Sequence, residues 1–77
     1  MAIYKVHIKT EGDKTTYTTN ATTFAAITHR AGSGKFDVIT PDGVLPADTP
    51  EEADKIAREF TAKVMASVGT VPNFINE

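Results

Sequence analysis

From Ile3 to Thr10 the chain alternates, with Tyr4, Val6 and Ile8 on one side and Lys5, His7 and Lys9 on the other. A period of two belongs to a half-buried strand, so this spacing predicts a strand over 3–10. "EGDK" follows, where Gly12 and Asp13 suit a tight turn, and "TTYTTNA" returns with β-branched and aromatic residues. Together the two runs predict a hairpin. Tyr17 is the only large apolar residue of the second run, so Thr15 to Thr19 is expected at a sheet edge, hydroxyls toward water and backbone open to a partner strand.

Residues 22–31, "TTFAAITHRA", fit two patterns. Phe24, Ile27, Thr28 and Ala31 fall at helical spacing, while the same letters also suit a strand paired with "KFDVIT". The helical reading is the one adopted: alanines favour it, Thr22 or Asn20 can cap its start, and Gly32 stands where a left-handed residue would end it. "KFDVIT" puts Phe36 and Val38 on one strand face. "TPDGV" then reads as a turn, with a short return through Val44 and Leu45 to Pro46.

The last helix carries the strongest signal. Thr49 caps it, Pro50 takes the first position and Glu52 completes a capping box, with Gly69 as the stop after about Val68. Its expected buried stripe is Ala53, Ile56, Ala57, Phe60, Val64 and Val68, with Phe60 at the centre of the packing. Glu51 and Lys55, Asp54 and Arg58, and Glu59 and Lys63 stand four apart with the acid first, an arrangement suited to a solvated face. "TVPNFINE" places Val71, Phe74 and Ile75 beyond the stop.

The pattern as a whole predicts an α+β fold. A small antiparallel sheet of three to four strands carries one long C-terminal helix and one short helix, in the order strand–strand–helix–strand–strand–helix. Residues 1–77 form a single small domain in this reading, with 70–77 as an extended tail or a segment that folds back.

Composition narrows the function classes. Seventy-seven residues suffice for one modest core and leave little room for a catalytic domain beside a binding domain. With no cysteine, neither disulfides nor a thiolate metal site can staple the chain, so packing or a second copy of it must supply the stability. A formal net charge of −2 disfavours indiscriminate nucleic-acid binding. "MAIYKVHIKT" lacks the apolar run of a signal peptide and nothing approaches a membrane span, so cytoplasmic residence is expected. The sequon Asn20-Ala21-Thr22 has meaning only in a secreted chain, and is discounted accordingly.

Candidate chemistry is sparse. "AGSGKF" suggests a phosphate loop, but a P-loop needs a glycine, four intervening residues and then Gly-Lys, with a hydroxyl residue after it and a strand-to-helix setting. Here His29 and Phe36 occupy those two positions, and the loop is expected to follow a helix and open a strand. Lys35 is therefore expected to bind no nucleotide. His7 and His29 share no helical ligand spacing with a carboxylate, so no metal, cofactor or catalytic residue is assigned. Ser33 lacks the strained glycine–serine elbow of a nucleophile.

The opening of the last helix, "DTPEEADKIAREF", resembles over about a dozen residues the T-x-E-E-A helix start in arm-type DNA-binding domains of phage integrases. That resemblance implies a three-stranded sheet with one helix and a DNA partner. The basic strands of those domains have no counterpart here.

Two functions follow. The first is a non-enzymatic protein-binding module. It is analogous at the level of class to the regulators and inhibitors with which phages occupy a surface of a host protein. Its candidate contacts are Lys5, His7, Lys9, Tyr17, Val71, Phe74 and Ile75. The second is a nucleic-acid module reading phosphates through the stripe of Lys5, His7 and Lys9, with Lys14 beside it.

Overall fold

The computed structural model describes residues 2–20, 22–30, 32 and 34–77. In chain order the elements are β1 (Ala2–Glu11), β2 (Lys14–Thr19), β3 (Thr22–His29), β4 (Phe36–Thr40), β5 (Gly43–Ala47), α1 (Pro50–Ala66) and β6 (Thr70–Asn76). All six strands form one sheet in the order β5-β4-β3-β2-β1-β6. Neighbours are antiparallel except β1 and β6, which run parallel.

This corrects the expected fold class. Six strands in a mixed sheet replace three or four antiparallel ones, and a single helix replaces two. It also departs from the three-stranded layout that the phage-integrase resemblance implies.

The short helix expected over 22–31 is β3. Here the rejected reading prevails, with β3 paired to β4 through Ile27 and Val38. A strand flanked on both sides by others is shielded by its neighbours even where one face stays open, so it can read as a short apolar run, and "FAAI" is such a run. Ala25, Ala26 and Ile27 are all buried in sequence. Between Tyr17 and Thr18 the register slips, so that Ala25 faces Tyr17 but Thr23 faces Thr18. Phe24 is the extra residue of that bulge, and its ring packs against the core beneath the helix. Gly32, at φ 79°, lies in the β3–β4 loop, not at a helix end. Ala31 and Ser33 fall outside the described residues.

Pairing of β3 to β2 moves Thr15 to Thr19 from the expected edge to the interior of the sheet. The segment read as a tail is β6. A parallel partner for β1 requires a crossover, which α1 supplies by spanning one face of the sheet from the β5 edge to the β1 edge. The Glu77 amide then donates to the Ile8 carbonyl at 2.9 Å, continuing the ladder past the strand's end.

The helix start forms as predicted, with Pro50 first and the Thr49 hydroxyl accepting from the Glu52 amide at 3.0 Å. Its buried stripe differs from the expected one. The buried positions are Ala53, Ala57, Thr61 and Met65, four apart. They meet Val6, Ile8, Tyr17, Ala25, Ile27, Val38 and Ala47 in the core. Alanines on the helix above Ala25 on the central strand allow close approach. Buried Thr61 satisfies its hydroxyl on the Ala57 carbonyl at 2.8 Å. Phe60 is displaced from the centre to the flank, where it lines surface clefts with Leu45, and Ile56 and Val64 are half-buried beside it. Val68 lies past the helix end and is 75% exposed.

Candidate functional site: an open sheet face and a polar cleft

Because α1 covers one face only, alternation along each strand sorts the residues into a covered and an open set. Val6 and Ile8 turn under the helix, so Lys5, His7 and Lys9 turn away from it. Register then builds the open face across the sheet. Val71, Asn73 and Ile75 of β6 stand beside Ile3, Lys5 and His7. His7 and Lys9 neighbour Thr18 and Thr16, and beyond them Ala26, Ile39 and Val44 continue the row to the far edge.

Five of the seven candidate contacts, Lys5, His7, Lys9, Val71 and Ile75, therefore meet on adjacent strands of one uncovered face. Tyr17 and Phe74 do not join them. Tyr17 is fully buried under α1, and the Phe74 ring lies on the helix side beneath the Arg58 guanidinium, 5.0 Å from its centroid. Exposed Ile3, Ile39, Val44 and Val71 make the open face partly apolar, while the Glu77 carboxylate pairs with His7 and lies 3.7 Å from the Lys9 ammonium.

Both edges of the sheet are blocked. The Arg30 amide donates to the Lys35 carbonyl at 2.8 Å, which fixes the alternation on β4: Asp37 and Ile39 bond toward β3, while Phe36, Val38 and Thr40 bond toward β5. Their β5 partners Ala47, Leu45 and Gly43 turn inward, leaving Val44 and Pro46 with outward backbone. On β6 the bond from Glu77 to Ile8 turns the odd-numbered residues toward β1, so Pro72 faces outward. Each edge thus carries a proline where a pairing strand would need an N–H donor.

The opposite side of the molecule holds a cleft of about 510 Å³ between the first turns of α1 and the β1–β3 end of the sheet. Sequence reasoning placed the Asp54–Arg58 pair on a solvated face. It lies instead at the border of the buried stripe, one residue after Ala53 and Ala57, and that adjacency was the available signal. The Arg58 Nε–H donates to both Asp54 oxygens at 3.0 and 2.9 Å, and the Tyr17 hydroxyl donates to the same carboxylate. Burial first, and then that hydrogen bond, push the Tyr17 pKa up from its ordinary value. Among the described residues the other two expected helical pairs form no ion pair.

His29, expected in a last helical turn, ends β3. Its ring lies 4.8 Å from that of Phe36, tilted by 32°, at the cleft wall. The loop holding Lys35 joins β3 to β4 and opens no helix, unlike the strand-to-helix setting of a phosphate loop. Lys35 lies 3.7 Å from Asp48. Among the described residues no three histidines or carboxylates converge as a metal site would require. No described helix is long and apolar enough to cross a membrane.

Comparison with known protein families, with characterised proteins and with solved structures finds no match to this chain.

Proposed function

We propose that this protein is a non-enzymatic binding module, a regulator or inhibitor that acts by laying the open face of its sheet on a protein partner. One observation carries the reading: Lys5, His7 and Lys9 of β1 stand directly beside Val71 and Ile75 of β6 on a face that none of the described elements covers. Apolar side chains ringed by charges are what a protein interface requires, since burial supplies affinity and the charges supply orientation. With a proline at each edge, face-on docking is favoured over strand addition.

The nucleic-acid alternative fits this face less well. The Glu77 carboxylate pairs with His7 and lies 3.7 Å from the Lys9 ammonium, so it offsets part of the stripe's positive charge. Tyr17, Phe24, Phe36 and Phe74 pack on the helix side, which leaves the basic stripe without aromatic platforms for base stacking.

The test places a photo-crosslinking residue at Lys5 or Asn73 on the open face, or at Glu59 on the outer side of α1. Each protein is then exposed to a lysate. A discrete adduct from the open-face positions, lost in Val71→Asp, is expected; an adduct from Glu59 alone would overturn the reading. At about 0.15 M salt, near a Debye length of 8 Å, nucleic-acid binding should be absent by fluorescence anisotropy. Micromolar binding abolished by Lys5→Glu with Lys9→Glu would favour the alternative.

A further inference from the structure

We propose that the cleft beneath the start of α1 is a second, independent site, which binds a small monocarboxylic acid with a flat apolar body. It lies on the helix side, away from the face assigned above to a protein partner.

The anchor is Arg58. Its Nε–H is committed to Asp54, and its central carbon lies over the Phe74 ring, 5.0 Å from the centroid. Asp54 is in turn fixed by the Tyr17 hydroxyl. The guanidinium is therefore held at its Nε by Asp54 and steadied by the Phe74 ring beneath it. Among the described residues its two terminal nitrogens have no hydrogen-bond partner. Those nitrogens offer two coplanar donors in the fork that matches a carboxylate. An arginine already immobilised gives up little rotamer freedom on binding, so the contact keeps more of its gross energy.

The rest of the cleft sets the ligand class. Ile8, Ile27 and Phe36 give it an apolar floor suited to a ring or flat chain, and Asn76 adds an amide at the rim. A volume of about 510 Å³ is in the range that takes a whole small molecule. Charge limits the ligand to one negative group. Asp54 offsets Arg58 locally, and Asp13 adds a further negative charge at the cleft's other end. A monoanion seated on Arg58 is therefore tolerated, whereas a phosphate dianion or a nucleotide is disfavoured.

The experiment is an amide-resolved NMR titration of the intact protein, with indole-3-acetate as the probe and indole-3-acetamide as its uncharged isostere. Saturable shifts are expected at Ile8, Thr10, Ile27, Asn76 and the Arg58 Nε–H, with the amide bound at least about tenfold more weakly. Arg58→Gln should remove the preference for the acid. Because that change also frees Asp54, Asn76→Asp serves as the second variant: it leaves the Tyr17–Asp54–Arg58 contacts in place, and should weaken the acid several-fold without weakening the amide. Equal affinity for acid and amide, shifts spread over the open face, or no saturation by about 10 mM probe, well above a millimolar dissociation constant, would overturn the assignment.

Discussion

The two faces of this sheet are built from the same strands, residue by residue in alternation, yet they have opposite characters. On the covered face Val6, Tyr17, Ala25 and Val38 are essentially inaccessible. The open face carries Lys5, Lys9, Thr16 and Thr18, with Ile3 at 69% and Val44 at 58% exposure, and only Ala26 in the middle of its row is shielded. The covered face is internally complete: Thr61 and Thr70 hand their hydroxyls to helix carbonyls at 2.8 Å, and no buried polar side-chain atom among the described residues lacks a partner. The open face keeps hydrophobic area that none of the described residues covers. Stability resides on one side of the sheet and freedom to bind on the other.

The sharpest way to break this comparison uses two adjacent residues of β4. Val38→Asp puts an unpaired carboxylate beneath the helix and should cost several kcal/mol, about 3 to 5, enough to unfold a small domain. Ile39→Asp, one residue on and facing away, should change stability by no more than about 0.5 to 1 kcal/mol. Chemical denaturation of both variants measures the difference, and comparable losses would show that the open face also belongs to the core.

Tyr17 gives a smaller and pH-dependent effect. Its hydroxyl holds its proton more tightly folded than unfolded, because burial and Asp54 both oppose the phenolate. A pKa raised on folding contributes stability that is fully present below the unfolded value, near 10, and is lost as pH rises toward the folded one. Stability should therefore fall above pH of about 10, by up to about 1.4 kcal/mol per pH unit for the one proton involved. Tyr17→Phe should lack this component, so wild-type and variant melting curves measured between neutral and alkaline pH should converge as pH rises. A constant gap between them would place the hydroxyl outside the folded-state linkage.

The smallest effect on stability is expected at the edges. Pro46→Val and Pro72→Val restore an outward N–H at sites exposed to water, and each should move stability by roughly 0.5 kcal/mol or less. Their effect should appear in association instead: concentration-dependent dimers or higher species by sedimentation, absent in the wild type. Variants that stay as dispersed as the parent would remove the prolines from the account of why docking is face-on.

Much of the local structure was legible along the chain because it depends on neighbours in sequence. The alternation of Ile3 to Thr10, the turn at Gly12 and Asp13, the return after Pro41 and the Thr49–Pro50–Glu52 helix start all express dihedral preference or short-range hydrogen bonding. The charged side of β1 was equally legible, since a period of two assigns Lys5, His7 and Lys9 to one face whatever the strand's place in a sheet. What failed depended on neighbours in space. "TTFAAITHRA" carries both a helical and a strand pattern, and only β2 and β4 on its two sides select the strand. Thr15 to Thr19 looked like an edge for lack of large apolar residues, but a strand between two others needs backbone partners more than bulky side chains.

The sequence by itself determined where chain segments turn, where the long helix starts and which residues of each strand share a face, because these follow from backbone stereochemistry and periodicity. Tertiary structure alone decided the order of the strands. It sent α1 across the sheet so that "TVPNFIN" became a parallel edge strand beside β1, and through that crossing it brought Val71 and Ile75 to the lysines. It also chose Ala53, Ala57, Thr61 and Met65 over Phe60 for the centre of the interface, since the line of the helix across the sheet turns that stripe inward. Arg58 was drawn from the expected solvated face to Phe74 and, through Asp54, to Tyr17, because contacts between residues far apart in sequence form only once the strands and the helix have closed on one another.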